Sequence, residues 1–317
     1  MSPPTALLSA FWSLAGLTGT GRATIWSLAW RIGLRLALGL VVLAGLGNPI
    51  PSPAATPDAP AAPAAAAPDE YEGDPFKSLV WPDLRRQYLG ADARTVWDER
   101  VQVRGPGFAE DPMNVPVTVS AQGLDQIERI VVLVDRNPIR KVLEYQPLSA
   151  LPSVSFRFKL EQASPVRAAA LTRDGLWHVG GTLVDSAGGG CTVPGATRKD
   201  GSWSQTLGLV SGRMFESSPA ASEVPGSSTS LALAGGARLR LRVMHPMDTG
   251  LVGGIPAFYV TRLSVRDEQD SELLRLQTFE PISENPVFSF DFPQRPAGVL
   301  HIVGVDNNGN RIDAQLQ

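Results

Sequence analysis

The run Arg238–Met244 reads RLRLRVM. Apolar and charged residues alternate strictly, the two-residue period of a half-buried strand. Leu239, Leu241 and Val243 then share one face, and Arg238, Arg240 and Arg242 share the other. Downstream, AFYVTRLSVRDEQDSELLRLQTF (257–279) reads as two strands around an acidic turn. VFSFDF (287–292) and VLHIVGVDNNGN (299–310) complete a β module over residues 231–317.

A second module lies upstream, over residues 75–185. VPVTVSAQ (115–122) and SVSFRFKL (153–160) alternate, and ERIVVLVD (128–135) is a continuous apolar run of the kind a buried strand carries. PVRAAALTRDGLWHVGGTLVD (165–185) predicts a hairpin turning at Asp174-Gly175. Ahead of these strands, Phe76–Arg100 reads as helical, with Pro82 tolerated near the helix start. The expected architecture is therefore all-β: two sandwiches joined by a flexible segment, with a short helical N-terminal region.

That joining segment, residues 186–230, is rich in Gly, Ser, Pro and Thr, and SWSQTLGLVSGRMF (202–215) is its one ordered-looking portion. The 31 glycines and 27 prolines of the 317-residue chain suit short strands and many turns. Lys and Arg total 28 against 31 Asp and Glu, a balance that gives no electrostatic case for nucleic acid.

Residues 1–55 hold Arg22, Arg31, Arg35 and no acid, followed by the apolar run Leu36–Leu46. Eleven residues fall short of the roughly 20 that span a bilayer. They suit a signal-peptide core, with PSPAAT supplying small residues for cleavage. A retained anchor is the alternative, because ALLSAFWSLAGL is also apolar. Cleavage would remove three positive charges, taking the net charge from -3 to -6 and leaving no membrane segment. Residues 56–74, rich in Pro and Ala, read as a disordered spacer.

Few residues offer chemistry. His178 and His301 fall within strand patterns and read as structural, and His245 of HPMDTG reads as a turn residue whose polar neighbours satisfy it. None has zinc-ligand spacing, and one His-x-Met supplies too few copper ligands. GLWHVGG and SAGGGC lack the strand-then-helix setting of a phosphate loop. Trp12, Trp26 and Trp30 lie in the leader, and the other four tryptophans read as core or interface.

The single cysteine stands apart, in SAGGGCTVPG (186–195). A lone thiol in an exported protein stays free, pairs between chains or carries a group. Gly188, Gly189 and Gly190 bury no side chain and lose much entropy if ordered, so they read as a flexible arm. The steps from Asp185 to Cys191 reach about 20 Å when extended. Arg198 and Lys199 lie near enough in sequence to favour the thiolate weakly. An attachment thiol, a dimer-forming disulfide and a bystander all remain open on these grounds.

Taken together, the chain resembles the sulfur-oxidation (Sox) carrier SoxYZ fused into one polypeptide. The SoxY-like stretches are VPVTVSA, IERIVVLVDRNPIRKVLEY, LPSVSFRFKLEQASPVRAAALTRDGLWHVGGTLV and the Gly-Gly-Cys arm. The SoxZ-like stretches are VMHPMDTGL, IPAFYV, FEPISENPVFSFDFP and VDNNGN. The resemblance implies two paired immunoglobulin-like sandwiches, and a cysteine that carries sulfur intermediates covalently between periplasmic enzymes. Cys191 would be the attachment residue and Gly188–Gly190 its arm, with no catalytic residue, cofactor or metal. The fused form is similar to SoxYZ-like carriers associated with quinoprotein dehydrogenases. The alternative is a non-catalytic binding or assembly module for such a dehydrogenase. A thiol-dependent enzyme would need a second cysteine or a motif-placed base, and neither accompanies Cys191. In one respect the chain departs from the family: the SoxY arm ends its chain, whereas here Cys191 is tethered on both sides and Val193-Pro194 stiffens the far side.

Overall fold

The structure, a computed structural model, describes residues 69–216 and 236–317. The leader, most of the Pro/Ala-rich stretch and the end of the joining segment lie outside the described residues.

Nine strands come from the first half: β1 (Arg94–Trp97), β2 (Gln102–Arg104), β3 (Phe108–Ala109), β4 (Val115–Ser120), β5 (Ile127–Val134), β6 (Lys141–Gln146), β7 (Ser153–Phe158), β8 (Ser164–Thr172) and β9 (Leu176–Ser186). In β4 the alternation works as expected, with Val115, Val117 and Val119 buried. β5 is buried through its last five residues, Ile130–Val134, because both of its faces are covered. The β8–β9 hairpin turns at Asp174-Gly175, where Gly175 takes the left-handed φ of 78° that glycine adopts without strain.

Among the described residues, seven strands follow: β10 (Val210–Glu216), β11 (Ala237–Val243), β12 (Val260–Arg266), β13 (Glu272–Thr278), β14 (Val287–Phe292), β15 (Leu300–Asp306) and β16 (Arg311–Leu316). In β11 the arginines are exposed and the leucines and Val243 buried, as their alternation requires. Among its described residues, the joining segment holds two short helices, Ala196–Asp200 and Trp203–Thr206. The described part of that segment, residues 186–216, is more ordered than its composition implies, and β10 is an edge strand of its sheet.

The strands form a ten-stranded sheet, β1-β9-β8-β5-β6-β13-β12-β15-β16 with β3 beside β9, and a six-stranded sheet, β10-β11-β14-β7-β4-β2. Each half contributes strands to both layers. The halves meet edge to edge twice: β6 pairs with β13 and β7 pairs with β14, both antiparallel. No sheet edge is left open at the seam, which removes the hazard of unpaired backbone. The core crosses it as well, where buried Tyr145 stacks on Phe290 with ring centroids 5.7 Å apart. Burying side chains of this size contributes about 1.5–3 kcal/mol each.

The helical reading of Phe76–Arg100 needs correction. Helix covers only Trp81–Leu84, continued by a wider π-type turn over Arg85–Leu89, and β1 occupies Arg94–Trp97. Gly90, at φ 124°, leaves the helix, and β1 then pairs parallel to β9. Trp81, Leu84 and Leu89 pack on Val131, Leu133, Ala169, Trp177 and Val179, covering the outer face of the larger sheet.

Beneath this cover lies a buried charge cluster. Arg167 donates four hydrogen bonds of 2.6–2.8 Å, two to Asp74 and two to Asp135. Its guanidinium also faces the Trp81 ring at 4.6 Å and the Phe76 ring at 5.0 Å. The end of the expected spacer is thus a structural anchor, since Asp74 is buried and ion-paired.

Candidate thiol site

Cys191 lies where the two halves meet, and it is fully buried. The polypeptide just past β7 forms one wall. Lys159 N–H donates to the Pro281 carbonyl and Leu160 N–H to the Pro112 carbonyl. Asn137 braces this wall: its Nδ2 donates to the Lys159 carbonyl and its Oδ1 accepts the Glu161 N–H, both at 2.8 Å.

The glycine segment packs directly onto that wall. Gly190 N–H donates to the Leu160 carbonyl at 3.2 Å, and Gly189 N–H to the Glu161 carbonyl at 3.1 Å. A Cβ on Gly190 would sit 2.6 Å from the Leu160 carbonyl oxygen and nearer still to that of Pro112. Gly188 and Gly189 have φ of 94° and 84°, conformations open to glycine and costly for other residues. Here glycine serves close approach rather than a loose tether. In this conformation the segment expected as a flexible arm, Gly188–Gly190, is packed against the wall, and its thiol is sheltered.

The cysteine is held from both halves. Its N–H donates to Glu161 Oε2 at 2.9 Å, and its carbonyl accepts the Thr249 hydroxyl at 2.7 Å. The thiol donates to the Lys159 carbonyl at 3.5 Å. Thr192 adds a hydroxyl bond to Glu161 Oε1 at 3.0 Å. None of these contacts belongs to a sheet ladder, and three of the four use a side chain of Glu161, Thr249 or Thr192.

The electrostatics of the site keep the sulfur protonated. Burial pushes the Cys191 thiol up to about 12, Glu161 adds to the rise, and Lys159 opposes it. Lys159 is itself buried, which lowers its amine below the usual lysine value; its ammonium group donates to the Met247 carbonyl. Arg198 and Lys199 do not activate the thiol as their sequence proximity suggests. Arg198 instead donates to Asp248 Oδ2 at 2.6 Å and lies over the Trp203 ring at 4.1 Å.

The histidines occupy structural positions. His178 meets Asp98 at 2.7 Å, and His301 sits on β15. His245 Nδ1 accepts the Met247 N–H at 3.1 Å, and Nε2 lies 3.4 Å from Asp306 Oδ2. Burial pushes its imidazole down to about 4, against the pull of Asp306. Among the described residues, no three His, Cys, Asp or Glu side chains gather as a metal site, and no helix is long and apolar enough to cross a membrane.

Lys159, Glu161, Asn137 and Thr249 escaped the sequence reading. Lys159 follows the alternation Val154, Phe156, Phe158 and falls in the solvent phase, but β7 ends at Phe158 and the phase is lost. Thr249 carried one signal, its place inside the singled-out HPMDTG turn.

Comparison with known proteins sets this geometry in context. The family described as sulfur oxidation protein SoxY matches residues 85–191, ending on the cysteine. The family described as sulphur oxidation protein SoxZ matches residues 230–317. No curated protein matches the chain. Among solved structures, the sulfur carrier protein SoxY from Chlorobium limicola f thiosulfatophilum is similar, at 19% identity and a TM-score of 0.29. The likeness covers 33% of this chain and 94% of that one.

Proposed function

This chain belongs to the SoxYZ-like sulfur carriers, with a SoxY domain followed by a SoxZ domain, and from that premise we propose that Cys191 is the residue that bears the cargo. As a sulfur-oxidation carrier the protein holds a group for other proteins to act on, and the chemistry of the thiol sets how. The observation that carries the assignment is the anchoring of Cys191. The chain's one thiol sits outside every sheet ladder, on a hydrogen bond to the Glu161 carboxylate and one from the Thr249 hydroxyl, both of which part without unzipping a strand.

The sheltered conformation is the resting form. Buried and protonated, the sulfur is a poor nucleophile, and it is protected from oxidation. Release of residues 188–192 into water returns the thiol toward its ordinary acidity. The thiolate then attacks the sulfur of a donor R–S–X, the S–X bond breaks as Cys–S–S–R forms, and X leaves with the electron pair. The thiol proton goes to water, and the exchange calls for no added oxidant. The carrier residues perform no catalysis; partner enzymes load and unload the cysteine.

The leader of residues 1–55 supports a periplasmic location, where a single unpaired cysteine and covalent sulfur cargo are compatible. Tethering of Cys191 on both sides favours a variant partner set, a quinoprotein dehydrogenase system, over enzymes that reach for a free C-terminal arm.

Intact-mass measurement of the protein isolated from its native cells tests the assignment. Discrete, reductant-sensitive additions mapping to Cys191, absent from Cys191→Ser, are expected. A thiol that stays unmodified while the pathway is running contradicts it.

A further inference from the structure

The outer face of the six-stranded sheet is strongly basic. Register places Arg238, Arg240 and Arg242 of β11 on it, with Arg213 of β10 directly opposite Arg240. Arg157 of β7 and Arg104 of β2 extend the same exposed face across the seam into the first half. The ladders bring one carboxylate to it, Asp291, which pairs with Arg238 at 2.6 Å. Glu216 pairs with inward-facing Ala237 and so belongs to the other side.

The larger sheet shows what an internally balanced face looks like. There Arg275 and Arg262 both meet Glu272, and Arg129 and Lys141 both meet Glu144. Among the described residues, the ladders of the smaller sheet bring Arg157, Arg213, Arg238, Arg240 and Arg242 to one face with a single carboxylate, Asp291, in a protein whose net charge is -3. Two like charges directly opposite, as Arg213 and Arg240 are, weaken a strand pair. Folding gains nothing from that arrangement.

We propose that this face docks a partner protein through an acidic surface. Charge complementarity identifies the occupant: a dense arginine field steers and orients an acidic protein surface. The composition of the face fits a protein rather than a diffuse polyanion. Ser155, Thr118 and Ser289 keep its middle flat, and Phe215, 43% exposed, stands at one edge under Arg213. A groove of about 350 Å³ runs between Arg104, Arg157 and Arg240. Five strand spacings of ~4.8 Å make the face about 24 Å wide, broad enough to seat a protein surface.

The position of the face gives it a purpose within the carrier reading, on which this inference rests. β7 leaves the face through Arg157 and Phe158 and leads straight to Lys159, whose carbonyl receives the Cys191 thiol. An enzyme docked on the arginines therefore lies beside the segment it must receive.

The test places the photo-cross-linker p-benzoylphenylalanine at Ser289 in the full chain, expressed in its native cells. A discrete cross-link to another protein is expected, through a peptide rich in Asp and Glu. It should fall at least about tenfold in Arg240→Glu/Arg242→Glu, with the unfolding midpoint of that variant confirming an intact fold. No discrete product, a product insensitive to charge reversal, or a cross-link to lipid, to a second copy or to a peptide without acids overturns the proposal. The mass of Cys191 in the same samples separates the two claims. Loaded Cys191 without a cross-link sinks the docking face alone, and a cross-link without loading sinks the carrier assignment alone.

Discussion

Arg167 and Cys191 are both fully buried, and both are held by polar contacts, yet the contacts differ in kind. Arg167 meets two carboxylates through four charged hydrogen bonds and lies between two aromatic rings. Cys191 is held by its own backbone, through one carboxylate and one hydroxyl, while its neutral thiol makes a long bond to a carbonyl. Removing one partner of a buried ion cluster leaves uncompensated charge in a dry interior. Parting bonds that water can replace costs less, about 1 kcal/mol for a neutral bond and about 1.5–3 kcal/mol for one to a charged group. The first region is a permanent fastening of the N-terminal cover, and the second is a catch.

The largest expected effect comes from breaking the fastening. Arg167→Leu strands Asp74 and Asp135 and should lower the stability to urea unfolding by about 3–5 kcal/mol. A loss below 1 kcal/mol would mean that the cluster holds nothing and the contrast is void.

Acid sharpens the comparison next. His245, beside the catch, is neutral when folded down to about pH 4, whereas an unfolded histidine takes a proton near 6.5. The unfolded state therefore binds more protons between those values, and stability falls as pH drops through that window. The loss approaches about 3 kcal/mol by pH 4, and His245→Gln should flatten that part of a stability-against-pH curve.

Crowding the catch should open it. Gly190→Ala drives a methyl group into the carbonyl oxygens of Pro112 and Leu160, an overpacking worth about 1–3 kcal/mol. The segment should respond by lifting away, with faster alkylation of Cys191 and a smaller change in global stability. Thr249→Val is gentler, removing the hydroxyl that donates to the Cys191 carbonyl and accepts the Leu251 N–H. It should shift unfolding by about 1 kcal/mol and raise the alkylation rate several-fold. Equal alkylation in both variants and wild type would show that these contacts do not govern access.

The sheet architecture was legible because burial leaves a period in the residues. RLRLRVM, VPVTVSA and VFSFDF each became the expected strand, and Asp174-Gly175 became the turn. The seam was not legible, since pairing between β6 and β13 or β7 and β14 depends on edges that alternation does not mark. Phe76–Arg100 misled because its helical spacing stops at Gly90, while β1 is fixed by its neighbour β9. The glycines before Cys191 were ambiguous for a different reason. Missing side chains suit both free motion and tight backbone contact, and the packed conformation rests on the carbonyls of residues 112, 160 and 161, which the local sequence does not reveal. Arg167 did carry a readable signal, a charge inside the apolar run PVRAAAL, and its partners lay 93 and 32 residues away.

The rate at which iodoacetamide alkylates Cys191 in the native protein, followed across low urea concentrations, tests the catch most directly. Local release predicts a rate at least about a hundredfold below that of the unfolded chain, yet faster than global unfolding allows and nearly independent of urea. Alkylation at the unfolded rate would show a thiol that is never sheltered. Alkylation that tracks global unfolding would show one that is never released, and either result contradicts the account.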